Sequence, residues 1–543
     1  MKKRLKSALV LLLTVLSVIS CKKELEKIPL DEFDQESFWS SEQKAMLALN
    51  AVYRSTVSSS NWWSTEGLVY LETASDNAYH GQGDNTVYHK LSNGTLTSSS
   101  ALVSQYWDQS YASIARSNDF LQNVSKVPMD AVKKKRLIAE VRFIRACQYF
   151  YLLQHFGSVP LIKATLALEE ANKVVKAPRA EIATFVIAEL TQAVADLPRF
   201  KDIPAKETGR VSKQGALAFL GRIQLAEKRF ADAAITYKTI IDFGDNIIDP
   251  NYASIFLESN ENSSENVYSV QYVPNQLPNP LMQNASPRAM GGFTFIDPLA
   301  NLMEAYEFTD GTAFSYTDAR YDYRDIGKNR DPRLKYSIYY DQAPFRTGKY
   351  ISHPDSVVAT YPDRINNLNT KTGYCLRKYI EENFTGNLNT GYGGNTPVIR
   401  YAEVLLSYLE AKLETGDAID MALLDATINR VRRRATVNMP VITATNAALL
   451  RPILRNERRV ELALEGIRYW DLLRWGIADQ ALNGDFYGHP YPVSKATVRK
   501  KTTTAPVDPF RRWYVTTRTF RKGVDEYWPI PQNEVSLNPK LGL

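Results

Sequence analysis

Cysteine and histidine are scarce in this chain of 543 residues, which carries three Cys and five His. Cys147 and Cys375 are far from the short spacings of a metal site, and the histidines form neither an HExxH motif nor a close cluster. The sequence therefore predicts no bound metal and no cofactor. A disulfide between Cys147 and Cys375 would suit an oxidising compartment, and this pairing stays open.

Motifs of several enzyme classes are also missing. No G-x-S-x-G elbow occurs, and "GQGDNT" at 81–86 lacks the third glycine and the preceding strand of a dinucleotide-binding loop. The formal net charge is +7, but four of the cations lie in the first six residues, so the rest of the chain carries only 7 − 4 = +3. So small a charge predicts no nucleic-acid partner. The chain is predicted not to be an enzyme, although a helical glycosidase with two facing carboxylates remains a minor alternative.

The N-terminus has the order of a secretory signal peptide. Lys2, Lys3, Arg4 and Lys6 precede an apolar run from residue 8 to residue 19, which is shorter than the ~20 residues of a membrane-spanning helix. The run ends in "VISC", which resembles a bacterial lipobox and predicts acylation of Cys21. The alternative is an ordinary secretory signal with a chance cysteine. Residues 1–20 are thus predicted as a lipoprotein signal peptide and 21–36 as a tether.

Helical periodicity dominates residues 37–244. A serine-capped segment after Ser37 places Ala45, Leu49 and Val52 on one face, and two longer helical patterns follow, the second ending at Gly157. In segment 212–241 the positions of Leu220, Gly221, Ala233 and Tyr237 resemble a tetratricopeptide helix pair, in which small residues allow close helix packing. A weaker helix pair is predicted from 401 to 435.

The C-terminal region, 245–543, begins with a segment typical of loops and short strands rather than of helices. Between about residues 245 and 400, Pro, Asn, Gly and Tyr are frequent, and "NVYSVQYV" and "LKYSIYY" are typical of short strands. Further on, residues 456–476 are predicted as one helix in which Asp471 pairs with Arg474. Trp528 near the C-terminus is predicted to pack the tail rather than to bind a ligand.

Seven stretches in order resemble the SusD/RagB family of outer-membrane lipoproteins. They are "ESFWSSEQKAMLALNAVY", "AEVRFIRACQYFYLLQHFGSVPLI", "GRVSKQGALAFLGRIQL", "RDPRL", "IRYAEVLLSYLEA", "NERRVELALEGIRYWDLLRW" and "YWPIPQNEVSLNPKL". The resemblance implies a mainly α fold, with tetratricopeptide-like helix pairs and a loop-rich region with a few short strands that carries the ligand site. It further implies a lipid-anchored protein at the exterior of the outer membrane that delivers nutrient to a SusC-like TonB-dependent transporter.

Two segments without helical periodicity combine aromatic and polar side chains, as sugar-binding sites do. Adjacent tryptophans in the polar segment 61–90 are expected to be hard to bury together, so they are the favoured platform. A glycan is the predicted ligand, a peptide is the alternative of the RagB branch, and a third hypothesis is a transporter lid with little affinity of its own. The candidate ligand-binding residues are Trp62, Trp63, Asp76, Asn77, Tyr79, Tyr88, Arg288, Phe293, Tyr316, Tyr321 and Tyr323.

Overall fold

The computed structural model describes residues 38–57, 61–366, 369–496 and 498–542. The predicted signal peptide, Cys21 and the tether lie outside these residues. Within the described ranges no helix is long and apolar enough to cross a membrane. In the same ranges no group of three or more His, Cys, Asp or Glu side chains could hold a metal ion.

The fold is mainly helical, as predicted. The first helix begins after Ser41, whose hydroxyl caps the backbone N–H of Lys44, and it buries Ala45, Leu49 and Val52. In the part of the chain that the structure describes, the helices are α1 (Glu42–Ser55), α2 (Thr65–Leu68), α3 (Val87–Ser92), α4 (Ala101–Asn123), α5 (Ala131–Phe156), α6 (Leu168–Ala171), α7 (Arg179–Asp196), α8 (Lys213–Ala226), α9 (Phe230–Phe243), α10 (Leu281–Ala285), α11 (Ala300–Ala305), α12 (Arg333–Ser337), α13 (Tyr401–Glu414), α14 (Met421–Ala426), α15 (Ile428–Arg432), α16 (Ala447–Glu461), α17 (Arg468–Arg474), α18 (Ala478–Ala481) and α19 (Gln532–Leu537).

The long helices pack in sequence as an array of pairs. Helix α5 packs on α4 and α7, α8 packs on α7 and α9, and α9 packs on α13. The predicted pair over 212–241 is confirmed as α8 and α9. A Cβ atom on Gly221 would lie 2.4 Å from Cζ of Tyr237, so this glycine allows the two helices to approach.

Short antiparallel strand pairs join the loops of the C-terminal region to the helices. The strand predicted in "NVYSVQYV" is confirmed as β4 (Asn266–Val270). The strand predicted in "LKYSIYY" is mostly wrong, because residues 333–337 form α12 and only Ile338 and Tyr339 pair as a strand. The described strand pairs are β1 (Ala78–His80) with β5 (Ile296–Pro298), β2 (Val159–Pro160) with β3 (Lys176–Ala177), β4 (Asn266–Val270) with β10 (Thr396–Arg400), β6 (Ile338–Tyr339) with β9 (Cys375–Leu376), β7 (Pro344–Phe345) with β8 (Gly348–Lys349), and β11 (Gly484–Pro490) with β12 (Arg512–Arg518).

The continuous helix predicted over 456–476 is wrong. Helix α16 ends at Glu461 and α17 begins at Arg468, because the chain turns through positive φ angles of 64° at Leu464 and 78° at Gly466. The buried carboxylate of Glu72 accepts hydrogen bonds from the backbone N–H groups of Gly466 at 2.9 Å and Ile467 at 3.2 Å, and so caps α17. The predicted ion pair between Asp471 and Arg474 is confirmed at 2.8 Å.

A network of buried ion pairs holds the C-terminal region together. Oε1 of the fully buried Glu461 accepts hydrogen bonds from Arg400 at 3.0 Å and Arg434 at 2.8 Å. Its Oε2 accepts from Arg333 at 3.0 Å. Burial would raise the pKa of Glu461, but the surrounding arginines outweigh it and lower the pKa. Residues of two family-like stretches, "RDPRL" and "NERRVE", therefore meet in one charged core.

The structure also decides the predictions about the Cys147–Cys375 disulfide and the packing of Trp528. Cys147 and Cys375 are both free and buried, so the disulfide is not formed. Trp528 is buried, its ring centroid lies 4.4 Å from that of His155, and its backbone N–H donates to the His155 carbonyl at 2.6 Å. Its predicted role in packing the C-terminal tail is confirmed.

Candidate functional site

The pairing of β1 with β5 joins the two loop segments in which ligand residues were predicted. In this pair Tyr79 lies opposite Asp297, and the backbone N–H of Gly81 donates to the carbonyl of Phe295 at 3.0 Å. A Cβ atom on Gly81 would lie 2.0 Å from the Thr294 carbonyl oxygen, so only glycine permits this approach. Residues far apart in sequence therefore form one surface.

Four aromatic rings are stacked in a row across this surface. The His80 ring lies nearly parallel to that of Tyr88, with centroids 5.8 Å apart and planes 5° apart. The Phe295 ring also stacks with His80, with centroids 5.5 Å apart, and Phe293 stacks with Phe295 at 5.2 Å. Phe293 at the end of the row is 38% exposed, so the row runs from the protein interior to solvent. We call these four residues the ring stack.

The backbone at Thr294 is strained. This β-branched residue has a φ angle of 51°, in the left-handed region that such residues rarely adopt. Its N–H donates to the Ser286 carbonyl at 3.2 Å, and its side chain is almost fully buried, so the surrounding contacts hold the conformation. Strain of this kind is concentrated at functional sites, and here it lies between the two phenylalanines of the ring stack.

A cavity of about 470 Å³ opens beside the ring stack. This volume lies within the ~300–1,000 Å³ of typical small-molecule sites. Its lining combines aromatic faces with side-chain amides and a hydroxyl, namely Tyr70, His80, Gln82, Asn85, Thr86, Val87, Tyr88, Asn284 and Phe295.

Asp363 fixes the loop that carries Arg288 and Phe293. Its carboxylate is buried and accepts hydrogen bonds from the backbone N–H groups of Arg288 at 2.6 Å and Ala289 at 3.2 Å. The Arg288 guanidinium lies 5.6 Å from the Phe293 ring centroid, at the rim of the ring stack. Burial raises the pKa of Asp363 to about 6, although the two N–H groups and the Arg288 charge oppose this.

A larger cavity of about 810 Å³ lies elsewhere, between α1, the 206–210 turn and β4. Tyr53 on its wall donates its hydroxyl to Glu140 at 2.8 Å, and Arg210 forms an ion pair with the same carboxylate at 2.9 Å. None of the candidate ligand residues predicted from sequence lines this cavity. The 470 Å³ cavity is therefore the better candidate site.

Comparison with known proteins decides the family. The SusD family model matches residues 253–542, which is more than half of the chain. The chain belongs to the SusD family. A second model, described as starch-binding associating with outer membrane, matches residues 25–225.

Similar proteins include SusD-like proteins of known structure. A SusD-like carbohydrate-binding protein of Bacteroides fragilis NCTC 9343 is 45% identical, with a TM-score of 0.90 over 93% of this chain and 100% of that one. A laminarin-binding SusD-like protein is 25% identical, with a TM-score of 0.68 over 92% and 98% of the two chains. SusD-like protein P2 of Formosa agariphila is 25% identical over 502 residues, 88% of this chain and 92% of that protein.

The expected platform of Trp62 and Trp63 is wrong, because both indoles of this SusD-family chain are buried. They point into two parts of the core. Trp62 donates its indole N–H to Ser110 at 2.7 Å and lies 3.9 Å from His155 between ring centroids. Trp63 donates to the Tyr151 hydroxyl at 3.1 Å. Each polar N–H has a partner, so burying both adjacent side chains leaves no unsatisfied donor.

We expect Trp62→Ala to lower the free energy of unfolding by about 3–5 kcal/mol, since a large buried ring is removed. The glycan affinity of the protein that remains folded should be unchanged. Urea unfolding and affinity electrophoresis on the same sample measure the two effects. A variant with wild-type stability that has lost ligand binding would restore the original platform hypothesis.

Three other predicted residues of the first loop are structural. Asp76 is buried between Arg468 at 2.8 Å and Arg459 at 2.9 Å. Burial would raise the pKa of Asp76, but these two arginines lower it below its usual value. Asn77 is buried and donates to Glu72 at 2.9 Å, and the buried Tyr79 donates its hydroxyl to Asp84 at 2.6 Å. These side chains shape the loop beneath the cavity without lining it.

The predicted tyrosines of the second segment lie outside the lining of the 470 Å³ cavity. Tyr316 stacks on Phe510 with centroids 4.5 Å apart, and Tyr321 packs edge-on against Tyr316 at 5.3 Å. Tyr323 is half-buried against Arg324, whose guanidinium lies 4.6 Å from the ring centroid. Of the predicted residues, the structure thus brings Tyr88, Arg288 and Phe293 to the ring stack and places Tyr316, Tyr321 and Tyr323 outside the cavity lining.

Sequence reasoning missed several cavity residues. His80 and Phe295 form the middle of the ring stack, and Gln82, Asn85 and Asn284 supply the amides. Phe295 lies two residues after the predicted Phe293, but the left-handed φ angle of Thr294 between them means that no strand periodicity links the two rings. No sequence signal existed for Asn284 either, which reaches the cavity only through the fold.

We expect the ligand affinity of the wild-type protein to fall as the pH drops through about 6, the pKa of Asp363. The protonated carboxyl accepts less strongly from Arg288 and Ala289, so their loop is held less firmly. Asp363→Asn should bind roughly threefold to tenfold more weakly at neutral pH, the loss expected for one hydrogen bond, and show no change through this interval.

Asp355→Asn is the matched control for that prediction, since Asp355 likewise accepts backbone hydrogen bonds, from Lys495 and Ala496 of another loop. Calorimetric titration above and below pH 6 measures both variants. If the affinity of Asp363→Asn fell with pH as the wild-type affinity does, the assigned role of Asp363 would be contradicted.

Proposed function

We propose that this chain is a non-enzymatic, surface-exposed lipoprotein that captures an oligosaccharide or polysaccharide and delivers it to a SusC-like TonB-dependent transporter. The observation that carries glycan capture is the ring stack beside a cavity lined by amides. Aromatic rings pack on the apolar faces of sugars, while amides donate to and accept from sugar hydroxyl groups. The 45% identity to a SusD-like carbohydrate-binding protein and the similarity to a laminarin-binding one support the same ligand class.

Affinity electrophoresis tests the capture step. The mature chain with Cys21→Ser, which removes the predicted acylation site, would run through gels that contain neutral polysaccharides, acidic polysaccharides or peptides. We expect at least one polysaccharide to retard the protein and the peptides to leave it unretarded. Retardation by peptides alone would favour the RagB-type alternative, and release of reducing ends from any polysaccharide would contradict the non-enzymatic assignment.

The anchor and the delivery step need separate tests. We propose residues 1–20 as the signal peptide, Cys21 as the acylated residue, 21–36 as the tether and the outer membrane as the location, with the body facing the exterior. Radiolabelled palmitate should enter the full chain and not its Cys21→Ser variant, and protease added to intact cells should cleave the body. Delivery predicts that the detergent-solubilised protein co-purifies with a large outer-membrane transporter, and absence of that partner would contradict it.

A further inference from the structure

The cavity beside the ring stack has a lining without charged side chains. Its polar groups are the amides of Gln82, Asn85 and Asn284 together with the Thr86 hydroxyl. His80 is the one side chain of this lining whose ordinary pKa lies near neutrality. Burial lowers the pKa of His80 to about 4, so its ring is uncharged at neutral pH. At neutral pH the cavity lining therefore consists of uncharged dipoles and aromatic or apolar side chains only.

Three charged groups on the segments that flank the cavity are engaged within the protein. The carboxylate of Asp84 accepts from Tyr79 at 2.6 Å and from Thr516 at 3.2 Å. Asp297 below β1 is buried, and burial raises its pKa, which favours the neutral acid. Arg288 stands at the rim with its guanidinium over Phe293, outside the cavity lining.

A charged ligand group seated against the buried His80 and Tyr88 rings would lose hydration there without gaining a counter-ion from the cavity lining. Burying an unpaired charge costs several kcal/mol, whereas neutral hydroxyl groups exchange water for amide and hydroxyl partners at little net cost. Peptide termini and acidic or basic side chains meet the same penalty as uronates and sulfate esters. The chemistry of the lining thus separates ligand classes by charge.

We infer that the cavity is specific for uncharged glycans and discriminates against sulfated or uronate-bearing glycans and against charged peptides. This inference rests on the proposed function, because it names the ligand class of the same site.

The test compares one polymer in two charge states. A neutral polysaccharide that retards the protein is sulfated chemically, and isothermal titration measures both forms with the Cys21→Ser chain. We expect sulfation to weaken binding at least about tenfold, which corresponds to ~1.4 kcal/mol. Binding of the neutral form should be insensitive to salt between about 20 and 500 mM. Equal or tighter binding of the sulfated form, or affinity for the neutral form that falls steeply with salt, would overturn the inference.

A gain-of-function variant separates the inference from the proposed function. Gln82 is exposed on the cavity wall, so Gln82→Lys adds an ammonium there with little risk to folding. We expect this variant to bind the sulfated polymer at least about threefold more tightly than wild type, with a salt-dependent affinity. Gln276→Lys, an exposed position at the 810 Å³ cavity, is the matched control and should change nothing.

The outcomes remain distinguishable. A wild-type protein that binds only sulfated or uronate polymers would contradict the inference and leave glycan capture standing. A protein that binds no polysaccharide of either kind would contradict both. An equal gain in Gln82→Lys and Gln276→Lys would show nonspecific attraction and remove the assignment of this cavity.

Discussion

Replacement of Glu461 by Gln should lower the free energy of unfolding by about 3–5 kcal/mol, the usual cost of breaking a buried ion pair from one side. Glu461 is fully buried, and its carboxylate accepts from Arg333, Arg400 and Arg434. An uncharged amide presents N–H donors to guanidinium groups and leaves part of their positive charge uncompensated. Urea unfolding followed by fluorescence measures the change.

The loss of free energy of unfolding in Glu461→Gln should depend on pH. The pKa of Glu461 is depressed in the folded protein from the usual 4.5, so its stabilising contribution is present above pH 4.5 and is lost as pH falls toward the folded pKa. The difference between wild type and Glu461→Gln should therefore shrink below about pH 4.5.

Glu414→Gln is the matched control for Glu461→Gln, because Glu414 pairs with Arg451 at 2.7 Å near the surface, with 23% of its side chain exposed. It should cost at most about 1 kcal/mol. Equal losses in the two variants would contradict the special role of the buried network.

Phe295→Ala and Phe293→Ala should each weaken glycan binding by about 2 kcal/mol or more, as expected for central aromatic contacts. This corresponds to roughly a 30-fold increase in Kd. Phe295 lines the cavity and supports the His80 ring, while Phe293 presents an exposed ring at the end of the stack. Isothermal titration with the polysaccharide that binds wild type measures both.

Phe510→Ala controls for the loss of an exposed aromatic ring. Phe510 is 37% exposed, close to the 38% of Phe293, and it stacks on Tyr316. Tyr316 also packs against Tyr321, and we call these three residues the Tyr316 cluster. We expect wild-type affinity in Phe510→Ala and wild-type unfolding in Phe293→Ala. The opposite pattern, with affinity lost only in Phe510→Ala, would move the site to the Tyr316 cluster.

Long periodic segments of the sequence predicted the scaffold well. The helix ending at Gly157 and the pair α8–α9 follow from apolar spacing, a positive-φ glycine and small residues at helix contacts. The same periodicity failed at residues 462–467. There a buried acid, Glu72, caps α17 from a distant loop, and no local pattern encodes that contact.

The site was only partly predictable for a related reason. Strands β1 and β5 have three residues each, too short for a periodic signal, yet their pairing assembles the ring stack. The tryptophans misled because a polar sequence context suggests exposure, whereas Ser110 and Tyr151 satisfy both indole N–H groups inside the core. Composition predicted a site of aromatic and polar side chains, and the fold selected which of these residues meet.

The most direct measurement is a crystal structure of the protein in complex with an oligosaccharide from the polysaccharide that binds it. Density for sugar rings against Phe293 and Phe295, with hydroxyl groups at hydrogen-bond distance from the Gln82, Asn85 or Asn284 amides, is the predicted result. Sugar bound at the 810 Å³ cavity or at the Tyr316 cluster, with the ring stack left vacant, would contradict it.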